Sequence, residues 1–155
     1  EVPLSMIIRS FCPRDQSVFL SMCRDFYHSP AVAHPVPDCV FPDTFRTCLE
    51  GSPLARGLML EDEEGPAGYA VLAFTFSAEV GGLVVLVDEL YLQPRARGRG
   101  YGTRFFAWLF AEYPDARRFR LEVTGENVGA AALYARLGFT GLPYRQMVRD
   151  REDAL

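Results

Sequence analysis

The stretch "GGLVVLVDELYLQPRARGRGYGTRFFAWLF", residues 81–110, narrows the architecture more than any other part of the chain. It begins as an apolar run that reads as a buried strand and ends as an aromatic-rich helix. Between them, Gly98, Gly100 and Gly102 alternate with larger residues just where strand hands over to helix. Such a junction leaves several backbone N–H groups without partners at the positive end of the helix dipole. Glycine keeps side chains out of the path of an approaching anion, and arginine adds fixed charge with forked donors. Four arginines stand here, Arg95, Arg97, Arg99 and Arg104, in a chain whose net charge is −4 and would be −8 without them. A receptor for phosphate groups is the physical reading.

Two common phosphate loops fit poorly. A Walker loop needs Gly-Lys-Ser/Thr, and no lysine follows these glycines. A dinucleotide fold wants G-x-G-x-x-G opening a βαβ unit, whereas this loop is G-x-G-x-G after strands that do not suit. Four arginines in an otherwise acidic domain make a weak footprint for nucleic acid, so no nucleic-acid partner is expected.

At 155 residues the chain is expected to form one domain, residues 6–150, with an adequate core. Met6 reads as the native start, with residues 1–5 left over from cloning. No apolar run approaches the roughly 18 residues of a membrane helix, so no membrane partner is expected. Cys12, Cys23, Cys39 and Cys48 have no close C-x2-C pair for zinc, and no metal is expected. Free thiols in a reducing cytoplasm are the reading, given a core that needs no staples.

Along the chain, "MIIRSF" reads as a first strand and Cys12 to Ser29 as a helix with Pro13 in its first turn. Pro30, Pro35, Pro37 and Pro42 mark a loop, and "DTFRTCLEGSP" a short second helix closed by Gly51 and Pro53. Residues 55–77 read as a hairpin around a charged turn with Gly65 and Pro66, in which the acidic run Glu61 to Glu64 is taken as solvated. A helix from Thr103 to Tyr113, a strand "RFRLEVT", a helix "NVGAAALYARLG" with Asn127 as N-cap and Gly138 as terminator, and a last strand "YRQMVRD" complete the order. The order β-α-α-β-β-β-α-β-α-β implies an α/β (α+β) fold: a mixed, mostly antiparallel sheet flanked by helices.

"QPRARGRGYGT" resembles the cofactor motif of the GNAT N-acetyltransferase superfamily, Gln/Arg-x-x-Gly-x-Gly/Ala, with Arg97, Gly100 and Gly102 at its fixed positions. "NVGAAALYARLGF" is similar to that superfamily's second signature through Asn127, Ala130, Tyr134, Gly138 and Phe139. The resemblance implies the family fold, acetyl-coenzyme A as co-substrate, and acetyl transfer to a primary amine. It implies that the pyrophosphate meets Arg97 and the backbone of Gly98, Arg99, Gly100, Tyr101, Gly102 and Thr103. The pantetheine arm would run beside Leu90, Tyr91 and Leu92, between two splayed parallel strands.

Asn127 and Tyr134 are seven residues apart, so two helical turns bring them to one face with about 20° of drift and ~10 Å of separation. The resemblance gives Asn127 the cofactor arm and Tyr134 the role of general acid toward the thiolate. A phenol of pKa near 10 is still protonated at neutral pH and suits that role. For the base there are three readings: Glu122, slightly favoured because its spacing to Asn127 resembles ribosomal-protein alanine acetyltransferases; Glu89; or water. Alternation sends Asp88, Leu90 and Leu92 to one side of the sheet and Glu89 and Tyr91 to the other. His28, His34 and Glu79 fall in regions that build the acceptor site in this family.

The leading expectation is an N-acetyltransferase acting on a small cationic amine, as monomer or homodimer. Protein N-termini or lysines are the second acceptor class, and a non-catalytic acyl-coenzyme A sensor is the rival reading.

Overall fold

The computed structural model describes residues 5–151, so most of the presumed cloning remnant lies outside it. The five strands are β1 (Ile7–Ser10), β2 (Ala55–Asp62), β3 (Gly65–Ser77), β4 (Gly82–Leu92) and β5 (Arg118–Leu121). They lie in sequence order across one sheet. The first three pairings are antiparallel and β4 with β5 is parallel. Helices α1 (Gln16–Tyr27), α2 (Val40–Leu49), α3 (Tyr101–Glu112) and α4 (Val128–Arg136) pack on this sheet. The expected mixed, mostly antiparallel α/β architecture is therefore what forms.

Two apolar layers hold it. On one face, Phe19, Met22, Cys23 and Phe26 recur along α1 at helical spacing and meet Phe41 and Phe45 of α2 over Met59, Tyr69 and Tyr91. On the other, Phe105, Phe106 and Leu109 of α3 cover Leu58, Leu60, Leu72, Val85 and Val87. Each fully buried Phe or Leu contributes about 1.5–3 kcal/mol relative to exposure, so these stripes dominate the driving force.

Helix boundaries differ from expectation for local reasons. The first helix is preceded by a 3-10 turn over Pro13–Asp15. The second begins at Val40, which puts Pro42 in its first turn, where a missing N–H costs nothing. Asn127 is an N-cap, its Oδ1 accepting from the Ala130 N–H at 3.3 Å.

The expected last strand does not form. Residues 140–151 carry no regular structure and are exposed. "YRQMVRD" has its apolar residues at 144, 147 and 148, which breaks the two-residue alternation a half-buried strand needs, and Pro143 removes an N–H beside it.

One ion-pair cluster ties the first strand to β2 and to the 3-10 turn that leads into the first helix. Arg9 donates to Asp15 at 2.8 and 3.0 Å and to Glu61 at 2.7 Å. Burial alone would raise Asp15, but bonds from Arg9 and the Cys12 N–H overrule it and hold its carboxyl at about 2. Arg9→Ala strands this enclosed carboxylate, and the expected loss is about 2–4 kcal/mol in urea denaturation at pH 7. A loss near zero would show the cluster to be a solvated surface contact.

Candidate functional site

The geometry begins with a parallel pairing that stops early. β4 and β5 pair only from Val84↔Arg118 to Val87↔Leu121. β4 continues to Leu92 along β3, so its other edge from Asp88 to Leu92 faces no strand among the described residues. The register with β3 shifts at the same place: Leu72 faces Val87 and Val71 faces Glu89, leaving Asp88 as a bulged extra residue. A bulge re-aims side chains. Before it, Val85 and Val87 face the α3 layer; after it Leu90 and Leu92 do, while Glu89 and Tyr91 turn toward α1 and α2. Beyond β5, the Thr124 hydroxyl donates to the Pro30 carbonyl and fastens the departing chain to the loop after α1.

Past Leu92 the chain makes a 3-10 turn over Pro94–Ala96 and enters α3 at Tyr101. Gly98 and Gly100 adopt left-handed backbone, φ +72° and +79°, and a Cβ at either would meet open space. Side chains are excluded there by conformation, and the space they leave is accessible. Among the described residues no backbone acceptor serves the N–H groups of Gly98 to Thr103. A row of unpaired amides at the start of a twelve-residue helix suits a diphosphate. Gly102 serves packing instead. A Cβ there would stand 2.8 Å from Leu133 Cδ2, so its absence lets α4 approach α3.

The arginines are arranged less simply than their clustering implies. The Arg97 guanidinium lies 5.7 Å from the Tyr91 ring centre, and its Nε donates to the Leu92 carbonyl at 3.0 Å. Arg99 sits over the Tyr101 ring and 3.9 Å from both Asp62 and Glu64. Arg95 is committed to those same acids. The acidic turn is thus not simply solvated: the Asp62 side chain is 3 % exposed. Arg95 above all, with the Tyr101 hydroxyl, holds its carboxyl at about 2.

On the α1 face, Glu89 is 7 % exposed. The Tyr69 hydroxyl donates to its Oε1 at 2.7 Å and the Tyr27 hydroxyl to its Oε2 at 3.2 Å. Burial pushes Glu89 up to about 7; the Tyr69 bond pulls down, the Asp88 charge pushes up, and the Tyr27 bond pulls down again. The Cys23 thiol, 3.4 Å from the Tyr69 hydroxyl, is pushed up to about 12 by burial and is inert as a nucleophile. Tyr91 donates to Asp25 at 3.3 Å.

Tyr134 lies on the opposite face. Its ring meets Phe106 and Phe139 edge-on, at 5.7 and 5.9 Å. Burial raises its phenol above the ordinary value. Tyr134 and Glu122 line one cavity of about 740 Å³ between β5, α4 and the segment after it. Glu122 is exposed. Asp88, open at the bulge, is raised by crowding from the surrounding protein and by the Glu122 charge. Tyr134 and Glu122 are therefore brought together, and Glu89 stands apart from them across the sheet. His28 and His34 are exposed, and Glu79 is bonded to Arg118 at 2.9 Å. Among the described residues no group of three His, Cys, Asp or Glu side chains is placed to hold a metal. No helix among them is long and apolar enough to cross a membrane.

Tyr27, Tyr69 and Asp62 are the residues that sequence reasoning missed. Their signal was weak: a tyrosine in a buried strand and an acid in a charged turn look ordinary until tertiary pairing is known.

The Acetyltransferase (GNAT) family model matches residues 19–139. No curated protein is a significant sequence match. Among solved structures, an integron cassette protein from the mobile metagenome of Cole Harbour Salt Marsh is 24% identical, with a TM-score of 0.75 over 92% of this chain and 89% of that one. The aminoglycoside N-acetyltransferase AAC(6')-Iy, solved in complex with CoA, is 15% identical with a TM-score of 0.75, covering 96% of each chain. A ribosomal-protein-alanine N-acetyltransferase from Brucella melitensis biovar Abortus 2308 is 14% identical with a TM-score of 0.75, over 94% of this chain and 99% of that one.

Proposed function

The chain belongs to the acetyltransferase (GNAT) family, and on that footing we propose that it acetylates the primary amine of a small cationic acceptor. Acetyl-coenzyme A is the donor in this family of transferases. The observation that carries the reading is the join of two features in one chain segment: a β4 edge from Asp88 to Leu92 that, among the described residues, has no strand against it, running straight into the Gly98 to Thr103 amides, which find no backbone acceptor there. The amides and the helix dipole receive the diphosphate. The edge of Leu90, Tyr91 and Leu92 offers backbone partners to the amide-bearing pantetheine arm, as a sheet edge does to an added strand.

The residues divide the proton work. An ammonium acceptor is drawn toward the open carboxylates of Asp88 and Glu122, then loses a proton to become nucleophilic. Glu89, poised near pH 7, is the base we favour, reached through water because it is enclosed. The slight preference for Glu122 on spacing alone yields to that environment. Nitrogen bonds to the acetyl carbon and gives up its second proton to solvent, the carbon–sulfur bond breaks, and the electron pair leaves with sulfur. Tyr134 gives the thiolate its proton and is reprotonated from solvent. The net products are an amide, free coenzyme A thiol and one proton. Asn127 caps α4 and so fixes the helix that carries Tyr134.

The four free cysteines fit a reducing cytoplasm, where we place the protein. The test is thiol release from acetyl-coenzyme A across a panel of polyamines, aminoglycosides, peptide N-termini and lysine peptides. Turnover with small polycationic amines is expected. Turnover confined to peptides would move the acceptor to the protein class. Coenzyme A binding with no turnover on any amine would make the chain a sensor.

A further inference from the structure

The carboxylate that clamps the amide corner lies outside every motif. The carboxylate of Asp62, at the end of β2, has all its acceptor positions engaged. Arg95 donates to Oδ2 at 2.9 Å and to Oδ1 at 3.2 Å. The Tyr101 hydroxyl donates to Oδ2 at 2.8 Å, and the Glu64 N–H to Oδ1 at 2.9 Å. Arg95 also donates to the Gly65 and Pro66 carbonyls, so it is fixed to the hairpin on every side.

Arg95 and Tyr101 stand at the two ends of the corner. Between them lie Gly98 and Gly100, both in left-handed backbone with open space around them, and the N–H groups from Gly98 through Tyr101 to Thr103 find no backbone acceptor among the described residues. A segment of that composition is soft by itself, and ordering it at the moment of binding subtracts from affinity. Both ends are fastened to one enclosed carboxylate on the sheet. Tyr101 is itself 1 % exposed and is the first residue of α3, so the same bond sets where the helix begins.

We infer that Asp62 is a positioning residue for the cofactor: by holding Arg95 and Tyr101 it preorders the Gly98–Thr103 amides to receive a diphosphate. The inference rests on the cofactor reading above. It also opposes plain electrostatics. A carboxylate near an anion site lowers the local positive potential, so charge alone makes removal of Asp62 tighten binding. Positioning makes removal weaken it. The sign of the change separates the two.

The experiment is isothermal titration of coenzyme A into the full chain and its D62N and E64Q variants, with steady-state rates alongside. E64Q removes one negative charge from the same two arginines, but from an exposed side chain, and serves as the electrostatic control. D62N is expected to weaken coenzyme A about tenfold, ~1.4 kcal/mol, with KM for acetyl-coenzyme A rising in step. Its kcat at saturating donor should stay within about twofold, because the reacting atoms are elsewhere. E64Q should bind as tightly as the parent or tighter. Affinity in D62N equal to or above the parent's overturns the inference. Should D62N fail to fold, Tyr101→Phe removes a single donor from the clamp; a loss of about threefold is then expected, and unchanged affinity overturns the inference. No coenzyme A binding by the parent protein would defeat the cofactor reading first, a different result from a parent that binds and a D62N that binds equally.

Discussion

Tyr134→Phe is expected to lower kcat by about 10²–10³-fold while coenzyme A affinity stays within about twofold. The substitution removes one oxygen and keeps the ring. That ring is what packs edge-on against Phe106 and Phe139, so α4 should stay seated. The phenol's pKa is raised by burial, which keeps the proton in place at neutral pH until a thiolate develops beside it. Without it the sulfur departs unprotonated or takes its proton from water. Single-turnover rates of thiol release, beside titration of coenzyme A, measure the two quantities separately. Unchanged kcat would put the acid elsewhere and reduce Tyr134 to a core tyrosine.

Glu89→Gln carries the second large effect, and two independent readouts accompany it. In the parent protein, kcat/KM is expected to rise with pH through an ionisation near 7, since the base works only when deprotonated. In the variant, activity should fall about 10²-fold and that inflection should vanish. Stability moves the opposite way. The native carboxyl is raised from 4.5 to about 7, so between those values the folded state holds a proton that the unfolded chain has released. Stability from this group is therefore fully present below pH 4.5 and lost as pH rises through 7, by about 3 kcal/mol. Glutamine has nothing to titrate, so the variant should gain on the parent between pH 4.5 and about 7 in denaturant unfolding, and the gain should level off above that. The groups facing Glu89 are Tyr69 from β3, Tyr27 and Cys23 from α1, Cys48 from α2 and Asp88 beside it. Of these only Asp88 is a carboxylate. E122Q is the comparison: it should raise KM for the amine without shifting the inflection. A surviving inflection in Glu89→Gln would transfer the base to Glu122 or water.

Much of this architecture was legible because periodicity and glycine placement are local signals. Phe105, Phe106 and Leu109 face the core as helical spacing requires, Asn127 caps α4, and Gly138 ends it with φ +88°. The alternation from Asp88 to Leu92 was also readable. The bulge at Asp88 was not, because it depends on which residue of β3 stands opposite; it is what lets Val87 and Leu90 share a face. The environment of Glu89 was hidden for the same reason: its partners Tyr27 and Tyr69 are 62 and 20 residues away. Four clustered arginines read as one anion receptor, yet Arg95 serves the hairpin and Arg99 leans on Tyr101. Charge density in sequence reveals where charge is, not which partner has claimed it. Residues 144–150 have strand-like composition without strand-like alternation, and composition alone misled.

The claim beneath all of this is that the bare amides after β4 grip the cofactor's diphosphate. Backbone amide resonances followed during a coenzyme A titration of ¹⁵N-labelled protein test it directly. Gly98, Gly100, Gly102 and Thr103 should show the largest shifts and saturate together, with Leu90 and Leu92 moving as the arm docks. Saturable binding that leaves those four glycine and threonine signals in place would contradict it.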